Sequence, residues 1–336
     1  MYRKIILNPV AILYGLIVQL RNVFYDKKLL KVNRLPCKVI SVGNITMGGT
    51  GKTPIVIYLS NLLKKKGYKT AIISRGYKRN TTGTVLVSDG IEVLSKWEDV
   101  GDEPYLMAKK LKNIPIVVDE NRFRGGLLLI REFGPDIILL DDGFQHRKLH
   151  RDLDIVLLNG KDDYVKHHLL PYGTFREPWS SLLRADIIFT TKQKPTVHLS
   201  IKIKHTSLPS ICTKNAYSVN SKSKVRQNDV LKFKNKKVFL YCGIADPISF
   251  KKAVLEMQYL VCGSKFFPDH FHYSKKDIRE IERLARNNDA DLIVTTEKDW
   301  VKTKEHEPEF DVAVVSLLME PIEKNKFNRL LKSFSI

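Results

Sequence analysis

The chain has 336 residues, with 57 Lys+Arg against 36 Asp+Glu, and a formal net charge of +21 that suits nucleic acid, an anionic membrane or an acidic substrate. At roughly 150 residues per domain it holds about two domains, or one large α/β unit with additions, and 43% hydrophobic with 28% charged residues excludes wholesale disorder. No apolar run approaches the roughly 18 residues of a confident membrane span, and the scattered Cys37, Cys212, Cys242 and Cys262 argue against a disulfide scaffold or zinc module and for a reducing compartment.

Residues 5–20 are mostly apolar, broken by Asn8, Pro9 and Gln19, with Arg3 and Lys4 before them and Arg21, Lys27, Lys28, Lys31 and Arg34 after. No A-x-A-like site follows, which argues against a cleaved signal peptide. The stretch 9–20 covers roughly 18 Å as a helix, well short of a hydrocarbon core of about 30 Å. An interfacial helix within residues 1–30, lying on an anionic leaflet, fits this pattern. A buried N-terminal core helix is the alternative.

From Cys37 onward, short β-branched runs alternate with longer helical stretches. Strands are predicted at 37–42, 70–74, 115–119, 136–142, 154–159 and 186–191, and helices at 51–66, 102–112 and 120–132. Continuous apolar strands between helices indicate a parallel sheet covered on both faces. Residues 192–237 carry twelve Lys/Arg and one acid, Asp229, and read as a basic connector over 192–236. Alternation then resumes, with strands at 237–244, 291–296 and 312–317 and helices near 247–257 and 274–287. The expected organisation is therefore a P-loop α/β domain at 31–191, the connector, and a smaller α/β domain at 237–336.

The strongest motif follows the first strand. Gly48-Gly49-Thr50-Gly51-Lys52-Thr53 is the ending of a phosphate-binding loop, in which backbone N–H groups cradle phosphates at a helix N-terminus. Lys52 would reach the β- and γ-phosphates, and Thr53 would offer its hydroxyl to Mg²⁺. The generic pattern wants Gly where Thr46 stands, but three glycines within four residues allow the turn. Pro54 is tolerable in a first helical turn. Such a loop needs a nearby carboxylate for Mg²⁺, and the predicted strand at 136–142 ends in Asp141 and Asp142, either of which can serve. Spacing leaves three other clusters open. Asp102 and Glu103 are either a functional pair or helix-start caps. His270 and His272 are packed, surface or metal-binding side chains, without a zinc-site partner. The stretch 295–299 either contacts phosphate or simply ends a strand.

Together these motifs resemble one family, the tetraacyldisaccharide 4′-kinases of lipid A biosynthesis. The resemblance rests on SVGNITMGGTGKTP (41–54), SRGYKR (74–79), GDEP (101–104), DENR (119–122), DDGFQHR (141–147), GTFREPWSSLLRAD (173–186), FPDHFHY (267–273) and TEKDWVK (296–302), in order along nearly the whole chain. It implies ATP-dependent phosphoryl transfer to the 4′-hydroxyl of a tetraacyldisaccharide 1-phosphate, giving lipid IVA, with ATP and Mg²⁺ as cofactors. It implies nucleotide binding by Thr46, Met47, Gly48, Gly49, Thr50, Gly51, Lys52 and Thr53. Metal candidates are Thr53, Asp141, Asp142 and Glu103. The family's proton-accepting pair carries over to Asp102 and His270, with His272 as the fallback because Phe271 stands where a second histidine is usual. Tyr77, Arg122, Gln145, His146, Arg176 and Glu177 are implied to line the acceptor site. The expected setting is a monomer, peripheral on the cytoplasmic face of the inner membrane, partnered by the lipid A disaccharide precursor and an anionic membrane surface, and not by nucleic acid. The residues alone leave two rivals: a basic nucleic-acid-binding P-loop protein, and a kinase or ATPase for a soluble metabolite. Tyr217 and Phe233 are the only aromatics of 192–237, a poor stacking platform for the first.

Overall fold

The computed structural model of the chain describes residues 2–162, 164, 168–221 and 234–336, apart from the side chains of 2–8, 220 and 221. The apolar runs of the first 191 residues become β1 (Lys38–Gly43), β2 (Thr70–Ser74), β4 (Ile116–Val118), β5 (Ile137–Asp141), β6 (Leu153–Asn159) and β7 (Ile187–Thr191), all in parallel register. A short β3 (Val85–Ser88), which no strong apolar run announces, adds an antiparallel edge. Ile40, Val42, Ile72 and Leu139 pack on one side of the sheet, and Val39, Ala71, Ile73 and Ile138 on the other. That is the period of two a strand imposes, with both faces buried. Helices α2 (Lys52–Lys65), the short α3 (Trp97–Val100), α4 (Asp102–Lys110) and α10 (Lys324–Ser333) cover the first face, and α5 (Arg122–Phe133) covers the second.

The later strands are β9 (Lys237–Cys242), β10 (Leu260–Phe266), β11 (Leu292–Thr296) and β12 (Val312–Pro321). They alternate with α7 (Pro247–Glu256), α8 (Lys275–Asn287) and α9 (Glu297–Thr303). Each helix start has its cap: the Asp246 side chain accepts from Ser249 N–H, and Ser274 with Asp277 forms a capping box.

The segment expected as a connector is partly built into the sheet. It contains α6 (Val197–Lys204) and the long strand β8 (Ser210–Ser221), while 222–233 lie outside the described residues. β8 runs parallel to β7 and antiparallel to β12, from Thr213↔Pro321 to Ser221↔Ala313. One mixed sheet therefore runs through both halves, in the order β10-β9-β11-β12-β8-β7-β6-β1-β5-β2-β4-β3. Composition hid β8 because only alternate positions such as Ile211, Thr213 and Val219 are buried, while Lys214 faces solvent.

The N-terminal segment forms one helix, α1 (Tyr2–Asp26), longer than the 9–20 stretch expected and roughly 37 Å at 1.5 Å per residue. Pro9 lies inside it, where it removes one intrahelical hydrogen bond without ending the helix. Ala11, Gly15, Val18, Asn22 and Tyr25 form its buried face. Leu13, Leu16, Ile17 and Leu20 stand on the opposite face, each more than half exposed. Among the described residues no helix is long and apolar enough to cross a membrane.

Candidate active site

Parallel strands place their C-terminal ends along one edge, which is where α/β sheets bind ligands. Here that edge carries the glycine-rich loop after β1, Ser74-Arg75 after β2, Asp119 to Arg122 after β4, and Asp141-Asp142 at the end of β5. The corresponding ends of β10 and β11 carry Asp269-His270 and Glu297-Lys298. Both sets line a single cavity of about 1320 Å³.

The loop is fixed from behind. Gln145 Nε2 donates to Asn44 O at 2.8 Å, Asn44 Nδ2 to Thr50 Oγ1 at 3.0 Å, and Thr191 Oγ1 to Thr50 O at 2.8 Å. Gly51 precedes α2 with φ of +89°, and a Cβ there would strike the Met319 sulfur. Only glycine meets both demands. Met47 to Thr53 face the cavity. Thr46, expected with them, does not: its backbone pairs with Phe175 and it is buried behind the loop.

Lys52 Nζ lies 3.5 Å from Asp142 Oδ1, and Arg176 Nη1 donates to both oxygens of Asp142 at 2.8 and 2.9 Å. Burial alone would raise the Asp142 carboxyl, but Lys52 and then Arg176 outweigh it and hold it below its ordinary value. Asp141 differs. It is fully buried, and Ser74 Oγ donates to its Oδ2 at 3.0 Å, while its Oδ1 has no hydrogen-bond partner among the described residues. Burial first, then Glu103 and Asp142, raise the Asp141 carboxyl. The two neighbours in sequence thus occupy opposite electrostatic roles.

Across the cavity, His270 Nδ1 meets Asp102 Oδ2 at 2.9 Å and Oδ1 at 3.1 Å. The Lys298 ammonium sits 3.1 Å from His270 Nε2. An ammonium can only donate, so Nε2 accepts and Nδ1–H donates to Asp102. Lys298 also lies 3.7 Å from Asp102, 3.5 Å from Glu103 and 3.4 Å from Asp269. Burial would lower Lys298, but Glu103 and then Asp102 raise it above the ordinary lysine value. Burial would raise Asp102, yet the His270 hydrogen bond, Lys298 and Lys302 bring it down to about 2. A carboxylate so held stays ionised throughout the physiological range.

His270 (φ 62°) and Asp142 (φ 54°) both occupy the left-handed region, which His and Asp tolerate better than most residues and which clusters at functional sites. That backbone turn decides between the two histidines. His270 faces the cavity, whereas His272 packs on Trp97 with ring centroids 4.9 Å apart. The fallback position is therefore turned away from the site.

Tyr77, Arg122, Gln145, His146 and Arg176 line the cavity. Glu177 does not. Its fully buried carboxylate accepts from Arg21 at 3.2 Å, Asn22 at 3.1 Å and Arg184 at 2.8 Å, tying α1 to the segment that carries Arg176. Sequence reasoning passed over Lys298, Arg75 and Ser74 individually, although each stands in a motif already marked, TEKDWVK or SRGYKR.

The family model described as tetraacyldisaccharide-1-P 4′-kinase (LpxK) matches residues 3–335. A relative named tetraacyldisaccharide 4′-kinase from Aquifex aeolicus is 40% identical over 306 residues, covering 90% of this chain and 91% of its own. One of the same name from Pelobacter propionicus is 37% identical, covering 88% and 82%. A crystal structure of Aquifex aeolicus LpxK in complex with ATP superposes with a TM-score of 0.77 at 34% identity, covering 97% of each chain. On a match that runs nearly from end to end, the chain belongs to the tetraacyldisaccharide-1-P 4′-kinase family.

Proposed function

We propose that this chain transfers the γ-phosphate of ATP to the 4′-hydroxyl of a tetraacyldisaccharide 1-phosphate, forming lipid IVA in lipid A biosynthesis. The observation that carries this reading is the meeting, in one cavity, of the Lys52 loop with the Asp102–His270 pair. Family membership supplies the acceptor class, and the relative in complex with ATP supplies the donor. The test is incubation of the purified chain with γ-labelled ATP, Mg²⁺ and detergent-dispersed acceptor. Label in the lipid supports the reading. ATP hydrolysis without lipid labelling contradicts it.

Phosphoryl transfer asks for positioning and charge neutralisation more than covalent chemistry. The half of the sheet carrying β1 works as a P-loop NTPase-like unit: loop N–H groups and Lys52 hold the phosphates, and Arg176 keeps Asp142 in place. Among the described residues no group of three or more His, Cys, Asp or Glu side chains forms a ready metal cage. Mg²⁺ does not require one, since it takes one or two carboxylates plus substrate phosphates. The free, buried Oδ1 of Asp141 beside Asp142 and Glu103 fits such an ion, with the Thr53 hydroxyl completing the donor set. Bound there, Mg²⁺ supplies neutralisation of phosphate charge. The acceptor's proton goes to the Asp102–His270 pair, in which His270 faces the cavity and Asp102 lies behind it.

Lys298 keeps that pair in its working tautomer and Asp102 ionised. Replacing it with methionine removes a cation from Asp102, so the Asp102 carboxyl rises and its charge is lost at higher pH than in the wild type. The acid limb of the kcat/KM profile is therefore expected to move upward. A superimposable profile would rule out this role for Lys298.

The exposed face of α1, with Lys27, Lys28 and Lys31 exposed at its end, supports docking on an anionic membrane. ATP as donor and four free cysteines support a peripheral place on the cytoplasmic face of the inner membrane. Replacing Leu13, Leu16, Ile17 and Leu20 together with serine should weaken co-sedimentation with anionic vesicles by at least about a hundredfold, given roughly 1.5–3 kcal/mol per buried side chain. Unchanged co-sedimentation would refute the membrane role.

A further inference from the structure

The Asp102–His270 pair joins the two halves of the sheet, and no local spacing sets its alignment. His270 follows β10, and its N–H donates to Gly243 O at 3.1 Å. Gly243 follows β9 and packs directly on the histidine loop. A Cβ there would stand 3.0 Å from Pro268 O and Tyr273 Oη and 3.2 Å from Phe271 Cβ. The Gly243 N–H in turn donates to Asp299 Oδ1 at 3.0 Å. Asp299 is fully buried and also accepts from Tyr273 Oη at 2.9 Å and Thr296 Oγ1 at 2.6 Å. One carboxylate thus grips the His270 loop at two points, through the Gly243 turn and through Tyr273.

Lys302 stands between this carboxylate and the reacting one. Its side chain is 1% exposed, with Nζ 3.5 Å from Asp299 Oδ1 and 3.8 Å from Asp102 Oδ2. It also lies over the Tyr273 ring, 5.4 Å from the centroid. Among the described residues Nζ makes no hydrogen bond. A buried ammonium is costly unless paired charges offset its desolvation, and packing alone would be met by an apolar side chain of similar length.

The contacts close a ring. His270 meets Gly243, Gly243 meets Asp299, Asp299 meets Lys302, Lys302 meets Asp102, and Asp102 returns to His270. Lys298 has a different place. It faces the cavity and divides itself among His270, Asp102, Glu103 and Asp269, whereas Lys302 and Asp299 do not face the cavity.

We propose that Asp299 and Lys302 are positioning residues for the transfer. Asp299 fixes the turn that presents His270, and Lys302 holds the Asp102 carboxylate in register with the imidazole across the two halves. Neither touches substrate. The ring also holds His270 in its left-handed backbone conformation (φ 62°). This rests on the kinase reading above and adds to it the device that aligns the proton-accepting pair.

The test measures kcat and KM per folded molecule of the full chain as wild type, Lys302→Met, Asp299→Asn and the double variant. The Nδ1–H proton signal of His270 is read by NMR with isotopically labelled histidine, and His270→Gln assigns it. Lys302→Met keeps the stem and removes the charge, while Asp102 retains His270 and the Glu103 N–H. It should lower kcat by about 10- to 100-fold, up to the loss expected for a misplacement of about 1 Å. Both KM values should stay unchanged, and the His270 signal should shift. Asp299→Asn should lower kcat in the same way. Because both act through one ring, the double variant should lose little more than the worse single one. A merely structural role would lower the melting temperature but leave kcat per folded molecule and the His270 signal alone. Wild-type kcat with an unshifted signal in Lys302→Met would overturn the proposal. So would a raised KM at constant kcat, or losses that multiply in the double variant. Failure of both single variants to fold would make the residues structural and overturn it as well. No lipid labelling by the wild type, with the His270 signal still shifting in Lys302→Met, would mean that the kinase reading has failed while the alignment stands.

Discussion

Asp102→Asn is expected to lower kcat by about 10²–10⁴, the range for removing a positioned general acid–base group. The amide keeps the shape of the carboxylate and a hydrogen bond to His270, but the pair loses its negative charge and with it the capacity to take the acceptor's proton. The fold should survive. Lys302 remains 3.5 Å from Asp299, and Lys298 keeps Glu103 and Asp269 at 3.5 and 3.4 Å. Asp102→Ala is the harsher change, because it removes the packed side chain from between two buried lysines, where breaking a buried pair costs about 3–5 kcal/mol. Thermal melting beside single-turnover kinetics separates the two effects. Near-normal turnover of Asp102→Asn with an unchanged melting temperature would remove Asp102 from the mechanism.

Lys52→Met is expected to lower kcat by about 10²–10³, the usual loss when one group stabilising transition-state charge is removed. The loop's backbone N–H groups stay in place, because Asn44, Gln145 and Thr191 brace it independently of the lysine. Asp142 also stays in place, held by Arg176 at 2.8 Å. The effect should therefore fall on kcat more than on the KM for ATP, since Lys52 acts on charge that develops during transfer. Rapid-quench measurement at saturating ATP reads this directly. A raised KM with unchanged kcat would make Lys52 a ground-state binding residue only.

Much of the site could be read from the sequence because it lies on strand ends. A β-branched run followed by GGTGKT or DDG announces both the strand and the chemistry at its tip, and β1 and β5 stand where those runs lie. Other elements carried a weaker signal. β8 alternates apolar and polar residues within a lysine-rich stretch, and β10 (LVCGSKF) carries few apolar residues and buries none of them fully. α10 buries only Phe327 and Leu331 fully, one turn apart. Lys298 was hidden for a different reason. Its importance arises when the order β9-β11-β12-β8 brings residues 102, 270 and 298 together, and no local spacing records that. Glu177 is the converse case: a motif residue beside Arg176 whose side chain turns to α1, so that motif membership marked it without revealing its task.

The two halves meet in contacts that frame the reaction. His270 and Lys298 come from the later half and reach Asp102 and Glu103 of the first, and Lys110 pairs with Glu297 beside them. On the first half, Glu177 joins α1 to the segment of Arg176, which grips Asp142. A helix with an apolar exposed face and the carboxylate beside the phosphate loop are thus linked through two adjacent residues, Arg176 and Glu177.

The central claim is that one phosphate moves from ATP to one defined hydroxyl. It is tested most directly by phosphorus–proton correlation NMR of the purified product. A new phosphomonoester signal coupled to the proton at C4′ is expected, with the original 1-phosphate signal unchanged. Coupling to any other ring proton, or conversion of the 1-phosphate into a diphosphate, would contradict it.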